Sequence, residues 1–247
     1  HYALMVLNGF YFQNMRNMLH LNNANGTYSE IGQFSGISKT DWSWAPLFAD
    51  YDNDGWKDLF ITNGYYRDYT NRDFLKYKGD YYFQKAKVKE KADTFHLVST
   101  MTSTPVHDYM FRNNGDLTFT DKSVEWGFKE NNFSNGAAYA DLDNDGDLDI
   151  LINHQNATAS VFKNHSREKH PELKYLQLAL TGAGKNTHAI GTKIRTYTQG
   201  KLQYLEHISS RGFQSSVSNR IHIGLGTAEM VDSLKITWPS GIEEIHK

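Results

Sequence analysis

The chain has 247 residues, a formal net charge of −2 and no cysteine. A charge so close to neutral argues against a general nucleic-acid binder, which normally carries a basic face or tail. The lack of cysteine excludes disulfides and thiolate metal sites. With 39% hydrophobic and 14% aromatic residues, the chain has enough apolar side chains for buried cores, and its length fits one large all-β domain or two ordinary ones.

Membrane and targeting signals do not stand out in this sequence. No run of about 18 apolar residues occurs, so we expect no membrane-spanning helix. The chain opens at His1 without a basic-then-apolar signal pattern. We therefore expect a fragment or a processed product, with any targeting signal upstream. The sequence carries no prediction of the oligomeric state.

Two blocks of sequence recur at the same offset of 91 residues. "LHLNNANGTY" (19–28) aligns with "MFRNNGDLTF" (110–119), and "FADYDNDGWKDLFITN" (48–63) aligns with "YADLDNDGDLDILINH" (139–154). One offset that serves two separate blocks indicates a duplicated unit. Short apolar runs within each unit predict short strands, and repeated units of this kind are typical of β-propeller blades.

A third unit begins at "SVFKNHS" (160–166), where Phe162 and Asn164 repeat Phe111 and Asn113 after only 51 residues. The basic unit is therefore roughly 50 residues, and the first copy carries an insertion, 64–108. The Lys, Glu, Gln and Ala content around 74–92 predicts helix there. Two full units and part of a third cannot close a ring, so residues 1–165 are predicted to be a partial β-propeller with a partly helical insertion.

Residues 166–247 are predicted to form a second domain, a small all-β unit. Leu176, Leu178 and Leu180 alternate along one face of a strand. A hairpin is predicted over 191–208, with its turn at Gln199-Gly200. The predicted fold class is therefore all-β, a partial propeller followed by a small β-sandwich-like C-terminal domain.

The aspartates of the repeated block alternate in a pattern that suits calcium. The proposed side-chain ligands are Asp50, Asp52, Asp54 and Asp58 in the first copy and Asp141, Asp143, Asp145 and Asp149 in the second. A glycine at position 6 permits a sharp turn, and position 7, Trp56 or Asp147, is predicted to offer its backbone carbonyl. Calcium takes six to eight oxygen ligands, and the absence of His and Cys argues against zinc or copper. Two calcium sites are therefore predicted.

The first half of each loop matches an EF-hand, but position 12 is Ile61 or Ile152 instead of the required Glu. Each loop is instead predicted to lead into a β-strand. Two other readings of the loops stay open. One is a solvated Asp/Asn/Gly turn without an ion, and the other is a catalytic carboxylate pair for glycoside hydrolysis. The latter needs acids on opposite sides of a sugar, which neighbouring aspartates on one tight turn do not provide.

At these residues the sequence resembles the FG-GAP/VCBS repeats of calcium-binding β-propellers, through "FRNNGDLTFTD", "SNGAAYADLDNDGDLDILI" and "APLFADYDNDGWKDLFIT". The C-terminal region resembles the ASPIC/UnbV domain, through "IGTKIRTYT", "RGFQSS", "HIGLG" and "VDSLKITWPSG". The resemblance implies a secreted or surface-exposed protein whose repeats hold calcium structurally. It implies fold and calcium more than any activity.

The sequence leaves two hypotheses about function. The first is an extracellular or cell-surface binding module of the adhesion type, with a glycan or protein ligand and structural calcium. The second is an enzyme or other component that processes glycans on the propeller face. Loops of a scaffold often carry binding residues, so Arg67, Asp68, Arg72 and Asp73, beside tyrosines in the insertion, are candidate ligand contacts. The alternative for these four residues is a solvated helix end with local ion pairs.

Overall fold

The computed structural model describes residues 2–10 and 15–247. The described part is mostly β, with four helices, α1 (Tyr2–Leu7), α2 (Arg72–Lys87), α3 (Thr94–Ser99) and α4 (Ser166–Lys169). The strands of its first two thirds are β1 (His20–Asn22), β2 (Tyr28–Glu30), β3 (Ser43–Ala49), β4 (Asp58–Asn63), β5 (Tyr109–Asn113), β6 (Phe119–Asp121), β7 (Ser134–Ala140), β8 (Asp149–His154) and β9 (Ser160–Phe162). The remaining strands are β10 (Lys174–Leu178), β11 (Lys193–Thr198), β12 (Lys201–Glu206), β13 (Ile221–Gly226), β14 (Ser233–Thr237) and β15 (Glu243–His246).

The sequence repeat corresponds to a repeat of antiparallel sheets. Strands β3-β4-β5-β6 form a four-stranded sheet in chain order, and β7-β8-β9 form a three-stranded sheet with the same connections. Strands β1 and β2 form a separate pair that is equivalent to β5 and β6. Each sheet has a register irregularity at the same place in its first strand, between Ser43 and Pro46 and between Ser134 and Ala137. The duplicated unit is therefore a short antiparallel sheet.

Strand β4 is buried along its whole length because the four-stranded sheet has an apolar cluster on each face. On one face, Leu47, Phe60 and Met110 share a core with Ile150 and Ile152 of the three-stranded sheet. The other face contributes to a second cluster, which contains Leu19, Ile37, Leu59, Ile61 and Phe111. The repeated sheets thus pack face to face in chain order.

The insertion 64–108 leaves the sheet after β4, returns at β5, and contains α2 and α3. The Asn71 side chain accepts hydrogen bonds from the backbone N–H groups of Asp73 and Phe74, which caps the start of α2. Phe74 is the buried residue of this helix. The prediction of helix around 74–92 is confirmed, although α2 ends at Lys87 and a second short helix follows.

The C-terminal residues form two sheets that share one apolar core. Strand β10 pairs with β13, and β12-β11-β14-β15 form the other sheet. Ile194 from β11 packs with Ile221 and Ile223 from β13. The hairpin predicted at Gln199-Gly200 is confirmed, and both turn residues have positive φ, 50° and 76°. Two consecutive residues with positive φ match the twist of a two-residue hairpin.

Candidate metal centre in two acidic loops

The two acidic loops, 50–58 and 141–149, connect the first two strands of their sheets and have the same backbone form. Asn53 and Asn144 both have a φ of 60°. Gly55 and Gly146 follow with φ values of 92° and 91°. Asn tolerates this left-handed region better than most residues, and Gly enters it without a steric cost. The Asp-x-Asp-Asn-Asp-Gly order is therefore what lets each loop turn sharply enough to gather its carboxylates.

In the first loop, one oxygen each of Asp50, Asp52 and Asp58 lies within 4.8 Å of the others. These three residues are buried, with exposed fractions of 6%, 8% and 0%. Backbone N–H groups hold them in place: Gly55 donates to Asp50 Oδ2 at 2.8 Å, and Asn113 donates to Asp58 Oδ1 at 2.9 Å. The loop therefore brings three carboxylates together in a site that is nearly inaccessible to solvent.

The second loop repeats this arrangement with Asp141, Asp143 and Asp149, whose oxygens also lie within 4.8 Å of one another. The N–H of Gly146 donates to Asp141 Oδ2 at 3.1 Å, and the N–H of Asn164 donates to Asp149 Oδ1 at 2.9 Å. The other Asp141 oxygen, Oδ1, is buried and has no hydrogen-bond partner among the described residues. A buried acceptor without a partner costs about 1–3 kcal/mol, and a ligand bound to this atom would remove that cost.

The carboxylates of the first loop are desolvated and repel one another when only protein atoms surround them. Burial raises the pKa of Asp50 well above its usual range, and the negative charge of Asp58 raises it further. Burial also raises the pKa of Asp58 to about 8, with a further contribution from the charge of Asp52. Crowded, desolvated carboxylates favour protonation unless a cation neutralises them. A bound cation would remove the cause of both shifts.

One basic residue reaches over each loop, Arg112 from β5 and Lys163 from the position directly after β9. Arg112 donates from Nε to Asp52 at 2.7 Å and from Nη2 to Asp54 at 2.6 Å. Lys163 lies 2.5 Å from Asp143 and 3.4 Å from Asp145. Asp54 and Asp145, which were predicted as ligands, are thus held by these basic side chains, next to the three converging carboxylates of each loop. Sequence reasoning missed Arg112 and Lys163, although both lie inside the Phe-x-Asn motif that repeats after 51 residues.

The residues at position 7 differ between the loops. The Asp147 side chain is fully buried and accepts hydrogen bonds from Asn53 Nδ2 at 3.2 Å and from the N–H of Arg167 at 2.9 Å. Trp56 is 41% exposed, and Lys201 Nζ lies 5.5 Å from its ring centroid. These partners occupy the Asp147 carboxylate. The backbone carbonyl of Asp147 is therefore the group that could bind an ion, as predicted.

The donor set of both loops fits a hard cation. Every converging atom is a carboxylate oxygen, the ligand type that calcium prefers. The unpartnered Asp141 Oδ1 and the repulsion among Asp50, Asp52 and Asp58 are both relieved by a divalent cation. When bound, calcium supplies positive charge that neutralises the carboxylates and cross-links the loop.

The four candidate ligand contacts in the insertion do not converge. Arg67 donates to the carbonyl of Met101 at 2.9 Å and lies over the Tyr66 ring at 4.7 Å. Asp68 accepts hydrogen bonds from the Thr70 backbone and hydroxyl. Arg72 and Asp73 are exposed in the first turn of α2. Arg67 and Asp68 therefore stabilise the insertion itself, and a ligand contact by any of the four stays a prediction.

A groove of about 720 Å³ runs along the three-stranded sheet beside the insertion. Trp44, Tyr65 and Phe213 supply aromatic rings, and the ring centroids of Trp44 and Phe213 are 4.6 Å apart. Its polar lining comes from amide and hydroxyl side chains such as Gln155 and Ser215. No charged residue lines this groove in the described part of the chain. Sequence reasoning did not locate it, because its walls come from several segments that are distant in the chain.

Two family models match different stretches of the chain. Residues 6–61 and 97–152 match the family model described as FG-GAP-like repeat. Residues 182–247 match the model described as ASPIC and UnbV. The chain is thus similar to FG-GAP-like repeats in two stretches and to the ASPIC and UnbV family in a third, C-terminal stretch. Both acidic loops lie within the stretches that match the repeat model. The segment between the two matches overlaps the insertion.

A curated relative of this chain is Cartilage acidic protein 1 of Xenopus tropicalis. The two chains are 34% identical over 110 residues, which are 43% of this chain and 16% of that relative. The chain thus spans a small part of the relative's length. Among the described residues, no helix combines the length and apolar character needed to cross a membrane.

Proposed function

We propose that this protein is a calcium-binding module of the adhesion type that works outside the cell or at its surface. The observation that carries the calcium role is the matched pair of loops, each with three carboxylate oxygens within 4.8 Å of one another. A single acidic turn has many explanations. Two turns with nearly the same φ values, the same carboxylate positions and a basic residue at the same position of the Phe-x-Asn motif favour a shared ion-binding role.

The FG-GAP-like repeats and the relative named for cartilage support the extracellular location and a protein ligand. Calcium in this proposal is structural. Each ion would neutralise the carboxylates of one loop and fix the turn that leads into β4 or β8. Ion binding to the folded state alone raises the free energy of unfolding by mass action.

We further propose that the sheets are successive blades of a β-propeller. Leu47, Phe60 and Met110 are buried against the next sheet. Their equivalents one repeat later are Ala138, Leu151 and Val161, and the last two are 36% and 63% exposed. Because the repeat buries this face in one sheet and leaves it open in the next, a further blade is a suitable occupant. The neutral groove lies on this same face.

The calcium role is tested by thermal unfolding in chelator, in calcium and in magnesium. We expect calcium to raise the melting temperature and magnesium to raise it less, since magnesium keeps its waters and demands a stricter geometry. Asp50→Asn and Asp141→Asn should each reduce the calcium effect. Glu229→Gln, which neutralises an exposed carboxylate outside both loops, is the matched control. The same melting temperature in chelator and in calcium would contradict the proposal.

A second candidate, which is an alternative to a further blade on this face, is recognition of a neutral glycan, and the groove favours it. Aromatic faces beside amides and hydroxyls, without a charged side chain among the lining residues, suit an uncharged saccharide. A glycan array with the wild type and with Trp44→Ala tests this candidate, and Arg67→Ala tests the insertion separately. Turnover of a bound glycan would favour the glycan-processing alternative, and binding without turnover would favour a binding module.

A further inference from the structure

The C-terminal domain lies on both acidic loops through the strand pair β10–β13. The N–H of Gly226 donates to the carbonyl of Asn53 at 2.9 Å. His222 Nε2 lies 2.6 Å from Asn53 Oδ1. At the second loop, Gln177 Nε2 lies 2.7 Å from Asp141 Oδ2. The loops of the repeats are therefore covered by residues of another domain.

The second loop by itself is short of ligands for calcium. Three of its carboxylates converge, while Lys163 holds Asp143 and Asp145 and the Asp147 side chain has other partners. Calcium takes six to eight oxygens. Asp141 Oδ1 is buried without a partner, so the protein atoms around it leave its ligand capacity unused. A further oxygen from outside the loop would bring the shell closer to completion.

The amide of Gln177 is the neutral side chain that touches this cluster from the C-terminal domain. Its N–H group donates to the Asp141 carboxylate at 2.7 Å, and the same amide carries an oxygen. A rotation about the last side-chain torsion exchanges these two atoms, which have nearly the same size. Facing carboxylates alone, the amide presents its donor. Facing a cation, the amide oxygen is the favoured atom.

We propose that Gln177 completes the second calcium site, so that this site is shared between the repeats and the C-terminal domain. The inference rests on the proposed calcium-binding function. It adds that the ion at the second loop fastens the C-terminal domain to the repeats, because one of its ligands comes from β10. Gln177 lies 36 residues after Asp141 and in a different domain.

The first loop has no counterpart of Gln177 among the described residues of the C-terminal domain that contact it. Gly224 of β13 lies against Asp50, and a Cβ there would come within 1.9 Å of Asp50 Oδ2. His222 reaches Asn53 of this loop, but among the described residues no C-terminal side chain is hydrogen-bonded to a carboxylate of the first loop. The two sites should differ in one testable respect, namely that only the second loses affinity when the Gln177 side chain is removed.

The test is calorimetric titration of metal-free protein with calcium chloride. Wild type, Gln177→Ala, Gln177→Glu and the control Gln214→Ala, an exposed amide of the same domain, are compared. Asp58→Asn and Asp149→Asn assign the two binding steps to the first and second loops. Far-ultraviolet circular dichroism in chelator checks that each variant folds.

We expect Gln177→Ala to weaken the step assigned to the second loop by on the order of tenfold. The step of the first loop and the Gln214→Ala control should stay unchanged. Gln177→Glu should restore the second step, because a carboxylate is a stronger calcium ligand than an amide. Two unchanged steps in Gln177→Ala, or a Glu variant as weak as the Ala variant, would overturn the inference. No calcium binding by wild type would instead contradict the proposed function.

Discussion

Replacing the glycine at position 6 of each loop by alanine separates the strain of the turn from the contact with β10. Gly55 and Gly146 have nearly the same φ, 92° and 91°. A Cβ at Gly55 would meet no atom closer than 3.8 Å. A Cβ at Gly146 would lie 2.1 Å from Cε1 of Tyr175. The two substitutions therefore differ in one steric contact.

The positive φ costs an alanine about 1–3 kcal/mol in either loop. Only Gly146→Ala must also displace Tyr175, whose ring stacks on His222 with centroids 5.4 Å apart and lies 4.9 Å from the Arg167 guanidinium carbon. Loss of the stacking is worth about 0.5–1.5 kcal/mol, and overpacking adds about 1–3 kcal/mol. We expect Gly146→Ala to lower the free energy of unfolding by roughly 2–4 kcal/mol more than Gly55→Ala.

Urea unfolding in chelator, followed by circular dichroism, measures this difference without a contribution from metal. The same pair is then made in a Tyr175→Ala background, which removes the obstructing ring. There the two substitutions should cost nearly the same, since the energetic coupling between neighbours disappears with one partner. Equal costs in the wild-type background would refute the close contact between the second loop and β10.

Two further predictions concern residues outside the loops. Burial raises the pKa of Asp108 from 3.8 to about 6, although Ser134 and the N–H of Asn63 donate hydrogen bonds to it. A carboxyl with a raised pKa in the folded state lowers the free energy of unfolding as pH rises from its unfolded pKa to its folded pKa. For Asp108 this loss is up to about 3 kcal/mol. Asp108→Asn should therefore flatten the stability profile between about pH 4 and about pH 6 in urea titrations, and a profile parallel to wild type would argue against this. Gly79→Ala, inside α2 where a Cβ meets nothing within 4 Å, should raise the free energy of unfolding by about 0.5–1 kcal/mol, and a lower urea midpoint would contradict the helix.

The sequence predicted the local features of the fold well, because they depend on residues close together in the chain. Alternating aspartates and a glycine define the loops, and the offset of 91 residues predicted that they are equivalent. The hairpin at Gln199-Gly200 was readable because two residues with positive φ favour Gly and polar residues. The insertion was visible as helix-forming composition between two strand-rich blocks.

The contacts that cover the loops were beyond local patterns. Gln177 reaches Asp141, and His222 reaches Asn53 across 169 residues of chain. Neither residue type has a spacing that marks such a role. Arg112 and Lys163 are an intermediate case. The repeat of their Phe-x-Asn motif after 51 residues is visible in the sequence, but the carboxylates that they contact are not. Pairings between distant segments are decided by the packing of whole domains.

Calcium titration of metal-free protein with the loop variants tests the central claim most directly. Wild type should bind two calcium ions. The pair Asp50→Asn/Asp58→Asn and the pair Asp141→Asn/Asp149→Asn should each bind one, because each pair removes two of the three carboxylates that converge in one loop. All four substitutions together should abolish binding while the protein stays folded in circular dichroism. A folded wild-type protein that binds no calcium, or a quadruple variant that still binds two ions, would contradict the assignment of these loops as calcium sites.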